Sequence, residues 1–555
     1  MNLRIAGTAA AVLATLLSGG VSAEPTHYIV FAGEPGQPAQ PVFYARVERA
    51  ADAAPEPSND AADPSYRPLR AGVAGAKRQV ERPLLRAEFA RDLEHGDLHL
   101  DMRPLPAPAE NSFLLRVPVA AADAIELDDG RVFDLEALAR DAARLPLAGI
   151  EAQVVLQRAP DSGPPANRVD ILVLGDGYTA AESATFATHA QNLYDAMFNV
   201  SPYEDYANLV NWNTGFVTSN QSGADHPPYQ AGCTSTACCA DSSASSDPFA
   251  GQFKDTALDA RFCTSQIHRL LTTSSSKTMA AAAAYANWDH ILVTVNDTVY
   301  GGAGGSYAVT SANASGPLVV IHEYGHSFSK LADEYTSAYP GFPACSDITS
   351  PPCEANVTNQ TTPALIKWAP LLTPAIPIPT PPGTPGTGLF EGARYLTTGM
   401  YRPTSSTCLM RSLGSTFCSV CAAAYVKRLY SGGFGVPSSG IDLIEPGTES
   451  PPATAPVAYT AGDNLTVGAT VLVPTLGSVS RQWLLDGIEI PGATGSSHVF
   501  NQASATPATR TLQLRVTDST GTLPTAMAGG VLEHTRSWTI NVSPSIGLIF
   551  ANGFE

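Results

Sequence analysis

Ile321-His322-Glu323-Tyr324-Gly325-His326 is the stretch on which the reading of this chain turns. It has the form H-E-x-x-H. On a helix, positions i and i+4 share one face, so His322 and His326 offer two imidazole nitrogens to a single metal ion. Glu323 sits beside the first histidine, where a carboxylate can act as general base on a metal-activated water. That is the arrangement expected of a zinc hydrolase, with one catalytic Zn²⁺. The bare motif also occurs on surface helices that happen to carry two histidines. Three features weigh against that here: the mid-domain position, the apolar run Gly316-Pro317-Leu318-Val319-Val320 before it, and the acidic Asp333-Glu334-Tyr335 after it. The apolar run reads as a strand leading into the motif.

The third ligand is harder to place. A metzincin carries a Gly three residues after the second His and a further His three residues on; here those positions are Ser329 and Ala332. Asp333 follows one residue later. On an unbroken helix it would project to nearly the same side as His322, but about 16 Å along the axis at ~1.5 Å per residue. Asp333 as metal ligand therefore requires the chain to turn after His326, and no glycine marks that turn. Glu334 is the competing carboxylate; with Asp333 on the metal, Glu334 is a candidate to accept a ring N–H from one of the histidines.

A chain of 555 residues exceeds one core, so about three domains are expected. The net charge of -19 disfavours nucleic acid and anionic membrane surfaces as partners. Residues 1–23 combine Arg4, an apolar stretch and Val21-Ser22-Ala23, the pattern of a secretory signal peptide cut before Glu24. No later run is long and apolar enough to span a bilayer. All nine cysteines lie between Cys233 and Cys421, which predicts a disulfide-stapled central region in an oxidising compartment. An odd count leaves at least one thiol over. Cys418-Ser419-Val420-Cys421 has the spacing of a zinc or redox pair, but no second close pair accompanies it.

Residues 24–158 show strand signals at His27-Tyr28-Ile29-Val30-Phe31 and around Phe113-Leu114-Leu115, with a loop expected over 51–66, and read as an accessory β-sandwich. A Pro/Gly/Ser linker follows at 159–167. Arg168-Val169-Asp170-Ile171-Leu172-Val173-Leu174 predicts a buried strand. Thr179 with Glu182 forms a capping box for a helix reaching Met197. The G-x-G of Gly175-Asp176-Gly177 lacks the rest of a nucleotide-binding pattern. His290-Ile291-Leu292-Val293-Thr294-Val295 predicts a second buried strand, and Gly301 to Gly305 a flexible cleft lining. Met410 is a candidate for a tight methionine turn beneath the metal. Cys418 to Tyr430 reads as the last helix of this unit. Residues 455–543 alternate as short strands around Trp483, with a turn at Asp486-Gly487, which suggests an immunoglobulin-like sandwich. Residues 544–555 form an apolar tail.

Gly175-Asp176-Gly177-Tyr178-Thr179, Ser222-Gly223-Ala224-Asp225-His226-Pro227, His322-Glu323-Tyr324-Gly325-His326-Ser327-Phe328, Leu331-Ala332-Asp333-Glu334-Tyr335 and Phe417-Cys418-Ser419-Val420-Cys421 occur in this order. Together they resemble the IgA-peptidase family of bacterial zinc metallopeptidases, over roughly residues 165–430. The resemblance implies a secreted zinc endopeptidase, with His322, His326 and Asp333 as metal ligands and Glu323 as the base. It does not assign immunoglobulin as the substrate. The expected architecture is multidomain: an α/β (α+β) metzincin-like zinc peptidase core over 165–432, flanked by an N-terminal β-sandwich and a C-terminal immunoglobulin-like β-sandwich. The expected partner is a protein or peptide substrate, met outside a bacterial cell, in its periplasm or at its surface. Two other readings compete: a surface binding protein built on an inactive peptidase-like core, and a cell-wall peptide amidase.

Overall fold

The computed structural model describes residues 23–34, 37–50, 65–69, 78–79, 111–127, 129–158, 162–337, 345–349, 352–432, 440–502 and 508–544. The expected signal peptide, most of the 51–66 loop and nearly all of the C-terminal tail lie outside them. Ser65–Leu69, at the end of that expected loop, is a strand.

The centre of the molecule is a six-stranded sheet. Its strands in chain order are β1 (Val154–Arg158), β2 (Val169–Asp176), β3 (Val210–Val217), β4 (His290–Val295), β5 (Gly302–Gly304) and β6 (Ala308–Ser311). Across the sheet they run β5-β6-β4-β2-β3-β1. The inner four are parallel; β1 and β5 pair antiparallel at the two edges. Every residue of β2 and β4 is buried. That explains their unbroken apolar runs, since a parallel strand covered on both faces has no polar side to present.

Alternate residues of β2 point to opposite layers. Val169, Ile171 and Val173 pack with α1 (Ser183–Met197) and α2 (Gly316–Ser327) through Phe186, Leu193, Val320 and Tyr324. Leu172 and Leu174 face the helix Ser275–Ala282 together with Tyr28, Val30 and Phe43 of the N-terminal sheet. The N-terminal region thus closes one side of the central sheet. Its three-stranded sheet has Ala23–Gly33 between Gln40–Ala50 and Asn111–Pro118, beside a four-stranded sheet. Val154–Arg158, read from sequence as the end of the N-terminal unit, joins the central sheet instead.

Two local expectations change. Gly316 to Val320 is the start of α2 and not a strand. Pro317 is tolerated there because first-turn N–H groups have no helical partner, and the run is apolar because Val319, Val320 and Ile321 are all buried. Gly302–Gly304, expected as a flexible lining, is a buried edge strand.

The last helix, α3 (Ser419–Ser431), is followed from residue 440 by the C-terminal sheets. The larger has five strands in the order Val457–Thr460, Glu533–Ser543, Ala508–Asp518, Val479–Leu485, Ile488–Glu489. Leu512, Leu514 and Val516 alternate inward. Asp486 and Gly487 both have positive φ, +51° and +81°, the hairpin turn that an Asp-Gly pair favours. The whole is a mixed α/β chain of several sheets and few helices.

Candidate metal centre

His322 and His326 lie one helical turn apart on α2, and both are buried. Each ring is held from behind by a main-chain carbonyl. His322 Nδ1 is 3.0 Å from the Leu409 oxygen and His326 Nδ1 is 2.7 Å from the Leu331 oxygen. A carbonyl only accepts, so each Nδ1 carries the ring proton and each Nε2 is left with its lone pair. The two Nε2 atoms face one another at 3.0 Å. Asp333 Oδ1 joins them at 3.2 and 3.5 Å, and has no hydrogen-bond partner among the described residues. Three lone-pair donors that converge in a buried site repel one another unless a proton or a cation sits among them. A set of two imidazoles and one carboxylate suits a zinc-class ion. Burial alone would raise the Asp333 carboxyl, but the facing His326 and His322 draw it down to about 2.

Asp333 reaches this position because α2 ends at Ser327 and the chain reverses. The turn is carried by a non-glycine residue, Lys330, at φ +53°. The Leu331 N–H returns to the Gly325 carbonyl at 3.2 Å, and the Lys330 ammonium caps the Ser327 carbonyl at 2.8 Å. The segment after the turn is strapped down by Glu334 N–H to Met410 O at 2.9 Å and Arg394 N–H to Asp333 O at 3.0 Å. Met410 is fully buried beneath α2: a Cβ added at Gly325 would stand 2.8 Å from its sulfur. Glu323 is fully buried and rests against β5, where a Cβ at Gly304 would meet its Oε2 at 2.7 Å.

Residues 158–237 and 234–384 match the family model for IgA Peptidase M64. Over residues 158–384 the chain is thus similar to the IgA peptidase M64 family. It is a metallopeptidase, a hydrolase that needs a metal ion and acts on protein substrate. No curated protein matches the chain. Among solved structures, a quinonprotein alcohol dehydrogenase-like protein from Bacteroides thetaiotaomicron VPI-5482 is similar at 15% identity over 18% of this chain and 19% of that one, with a TM-score of 0.13. A likeness so slight carries no argument.

In this metallopeptidase, Glu334 does not meet a histidine N–H as its sequence position suggests, because both Nδ1 protons are taken by main-chain carbonyls. Its side chain instead points to Asn356, Cys408 and Cys421. Burial, with Cys418 beside it, pushes its carboxyl up to about 8. Tyr395 is the residue that sequence reading misses: its hydroxyl donates to Asp333 Oδ2. Tyr401 and Arg411, the sequence neighbours of Met410, are engaged elsewhere. Tyr401 pairs with Thr358 through the backbone, and Arg411 Nη1 donates to the Glu334 carbonyl at 2.6 Å.

The other M64 motifs build the frame. Asp176 is buried and accepts from Ser219 Oγ, Thr256 Oγ1 and the N–H groups of Leu258 and Ala260. Gly223 N–H bonds the Gly177 carbonyl at 3.1 Å. His226 lies between Asp247 (2.7 Å from Nδ1) and Asp297 (2.9 Å from Nε2), while His268 Nε2 also reaches Asp247 at 2.8 Å. Burial works to lower the His226 pKa, but the two carboxylates more than offset it and the net shift is upward. Three disulfides, Cys233–Cys238, Cys239–Cys263 and Cys345–Cys353, staple the loops; Cys408, Cys418 and Cys421 remain as thiols.

Proposed function

We propose that this chain is a secreted zinc-dependent endopeptidase in which His322, His326 and Asp333 hold one Zn²⁺ and Glu323 is the general base. The observation that carries the reading is the convergence of His322 Nε2, His326 Nε2 and Asp333 Oδ1, with separations of 3.0, 3.2 and 3.5 Å. Zinc in such a donor set supplies Lewis-acid polarisation of the scissile carbonyl and acidifies a water towards a pKa of about 7. Glu323 takes the proton from that water and later delivers it to the leaving amine. Leu409 and Leu331 hold the rings through their carbonyls, Tyr395 orients Asp333, and Met410 supports α2 from below. The region read as metzincin-like is consistent with this arrangement of helix, turn and methionine. The five-stranded sheet around the buried Trp483 supports an immunoglobulin-like C-terminal domain. The disulfides are compatible with an extracellular site of action.

Glu323→Ala tests the mechanism. The purified variant is expected to keep its zinc and its fold and to lose cleavage of a peptide library. Normal turnover by a zinc-loaded Glu323→Ala protein would refute Glu323 as the base. Chelation should abolish cleavage in the parent protein. A panel that sets folded proteins against peptidoglycan fragments separates an endopeptidase from a cell-wall amidase.

A further inference from the structure

Six of the nine cysteines are paired in disulfides, and the three that are not lie together. Cys408, Cys418 and Cys421 are all buried, and with the fully buried Glu334 they present four donor atoms within 4.8 Å of one another. The Cys408 and Cys421 sulfurs are 3.5 Å apart. A disulfide needs about 2.05 Å, whereas a tetrahedral zinc with Zn–S of about 2.3 Å sets its sulfurs about 3.7 Å apart. Glu334 Oε1 lies 3.6 Å from Cys421 Sγ and accepts from Asn356 Nδ2 at 3.2 Å. Glu334 Oε2 is buried and has no hydrogen-bond partner among the described residues. A buried carboxyl with an idle oxygen is costly unless a proton or a cation faces it. The surroundings are apolar, with Leu331, Trp368, Leu389 and Val420 packed in the same cluster.

We propose that Glu334, Cys408, Cys418 and Cys421 form a second, structural site for a thiolate-preferring divalent ion of the zinc class. Four protein donors close the coordination shell, which marks a structural rather than a catalytic site. Soft thiolates select this class over magnesium or calcium. On binding, the three sulfurs coordinate as thiolates and Glu334 as a carboxylate, so every proton these four groups hold is released to solvent. With a divalent ion among three thiolates and one carboxylate the filled site is net anionic, and Arg402 and Arg411 both interact electrostatically with Glu334. Cys418 caps α3 and Cys421 lies in its first turn; Cys408 precedes Met410; Glu334 follows Asp333 directly. One ion would therefore tie α3, the methionine turn and the Asp333 segment together. The three cysteines lie beyond the residues matched by the family model. The proposal does not depend on the catalytic assignment.

The test uses the full-length protein. Metal analysis should find two zinc ions per chain, and one in the His322→Ala/His326→Ala variant. Cobalt reconstitution of the parent protein should give thiolate-to-cobalt charge-transfer absorption, and the double-histidine variant should keep it. Glu334→Gln should weaken retention of this ion against a chelator at least tenfold. A parent protein with one zinc and no thiolate–cobalt band would overturn the second site, as would a disulfide between any two of Cys408, Cys418 and Cys421 in native material. The cobalt spectrum needs no cysteine variant, so a misfolded Cys418→Ser protein does not affect the outcome. A parent protein that shows the thiolate band but cleaves no peptide would fault the catalytic reading alone.

Discussion

Tyr395 meets Asp333 across 62 residues of sequence, and no local pattern announces it. Hydrogen bonds to metal-ligating carboxylates typically govern affinity ten- to a hundredfold. Tyr395→Phe should therefore weaken zinc binding at the histidine site by about that factor while leaving the fold intact. A competitive chelator titration measures it, and unchanged affinity would remove Tyr395 from the site. Asp333→Ala should empty the same site, whereas Glu334→Ala should leave it filled. Cobalt reconstitution distinguishes the two sites: Asp333→Ala should keep the thiolate–cobalt band but lose the histidine-bound ion, Glu334→Ala should keep the histidine-bound ion, and loss of that ion in Glu334→Ala alone would reverse the assignment. His322, Glu323 and His326 are legible as a group because helical periodicity places i and i+4 together. Asp333 is legible only as an alternative to Glu334, because the turn that brings it back is made by Lys330, and lysine gives no signal of left-handed backbone. The carbonyls of Leu331 and Leu409 are invisible in sequence, since a main-chain acceptor belongs to every residue type alike.

At the scale of elements, the buried strands β2 and β4 can be read directly, because short continuous runs of Val, Ile and Leu are the mark of parallel strands covered on both faces. The capping box of Thr179 and Glu182 also forms, ahead of α1. The run before the histidine motif is deceptive, because a mostly buried helix looks like a buried strand when only a few residues are considered. The glycines of β5 suggest flexibility in sequence, but their role in the fold is close approach. Gly304 shows this best: a Cβ there would stand 2.7 Å from Glu323 Oε2, 2.9 Å from the Glu323 carbonyl oxygen and 3.0 Å from His326 Cβ. Backbone cannot yield as a side-chain tip can. Gly304→Ala should cost about 1–3 kcal/mol of stability through overpacking and lower kcat at least about tenfold by displacing Glu323. Zinc content should stay the same. Thermal melts, metal analysis and kcat together test this, and wild-type kcat would show that Glu323 tolerates the shift.

At the scale of the molecule, the loops between β3 and β4 depend on links as well as packing. Cys239–Cys263 closes a loop with a sequence separation of 24. Removing it as Cys239→Ala/Cys263→Ala should destabilise the fold by roughly 3 kcal/mol on the chain-entropy view, measured by denaturant unfolding. His226 adds a pH dependence. Its folded pKa is raised above the ordinary 6.5, so its contribution is complete below pH 6.5 and is lost as pH rises through the folded value. Asp247 is the reverse case. Burial would raise it, but His268 and His226 lower it below 3.8, so its contribution holds above 3.8 and is lost as pH falls through its folded value. Hydrogen exchange in the loop around His226 should therefore quicken on the alkaline side, and His226→Gln should flatten that limb.

The core behind α1 does not stop at α3. One apolar cluster runs from Val169 and Tyr324 through Tyr430 to Trp483 and Trp538. The Asp518 carboxylate accepts hydroxyls from both Tyr206 and Tyr430, at 3.0 and 2.8 Å, and Arg168 pairs with Glu445 at 2.8 Å in a buried site. Covalent continuity is thus not what holds the two parts together. Made as separate polypeptides, residues 1–432 and 433–555 should behave as complementing fragments: insoluble or sticky apart, and recovered as one stoichiometric complex when co-expressed. Two well-behaved, non-associating pieces would mean that the shared cluster contributes little to cohesion.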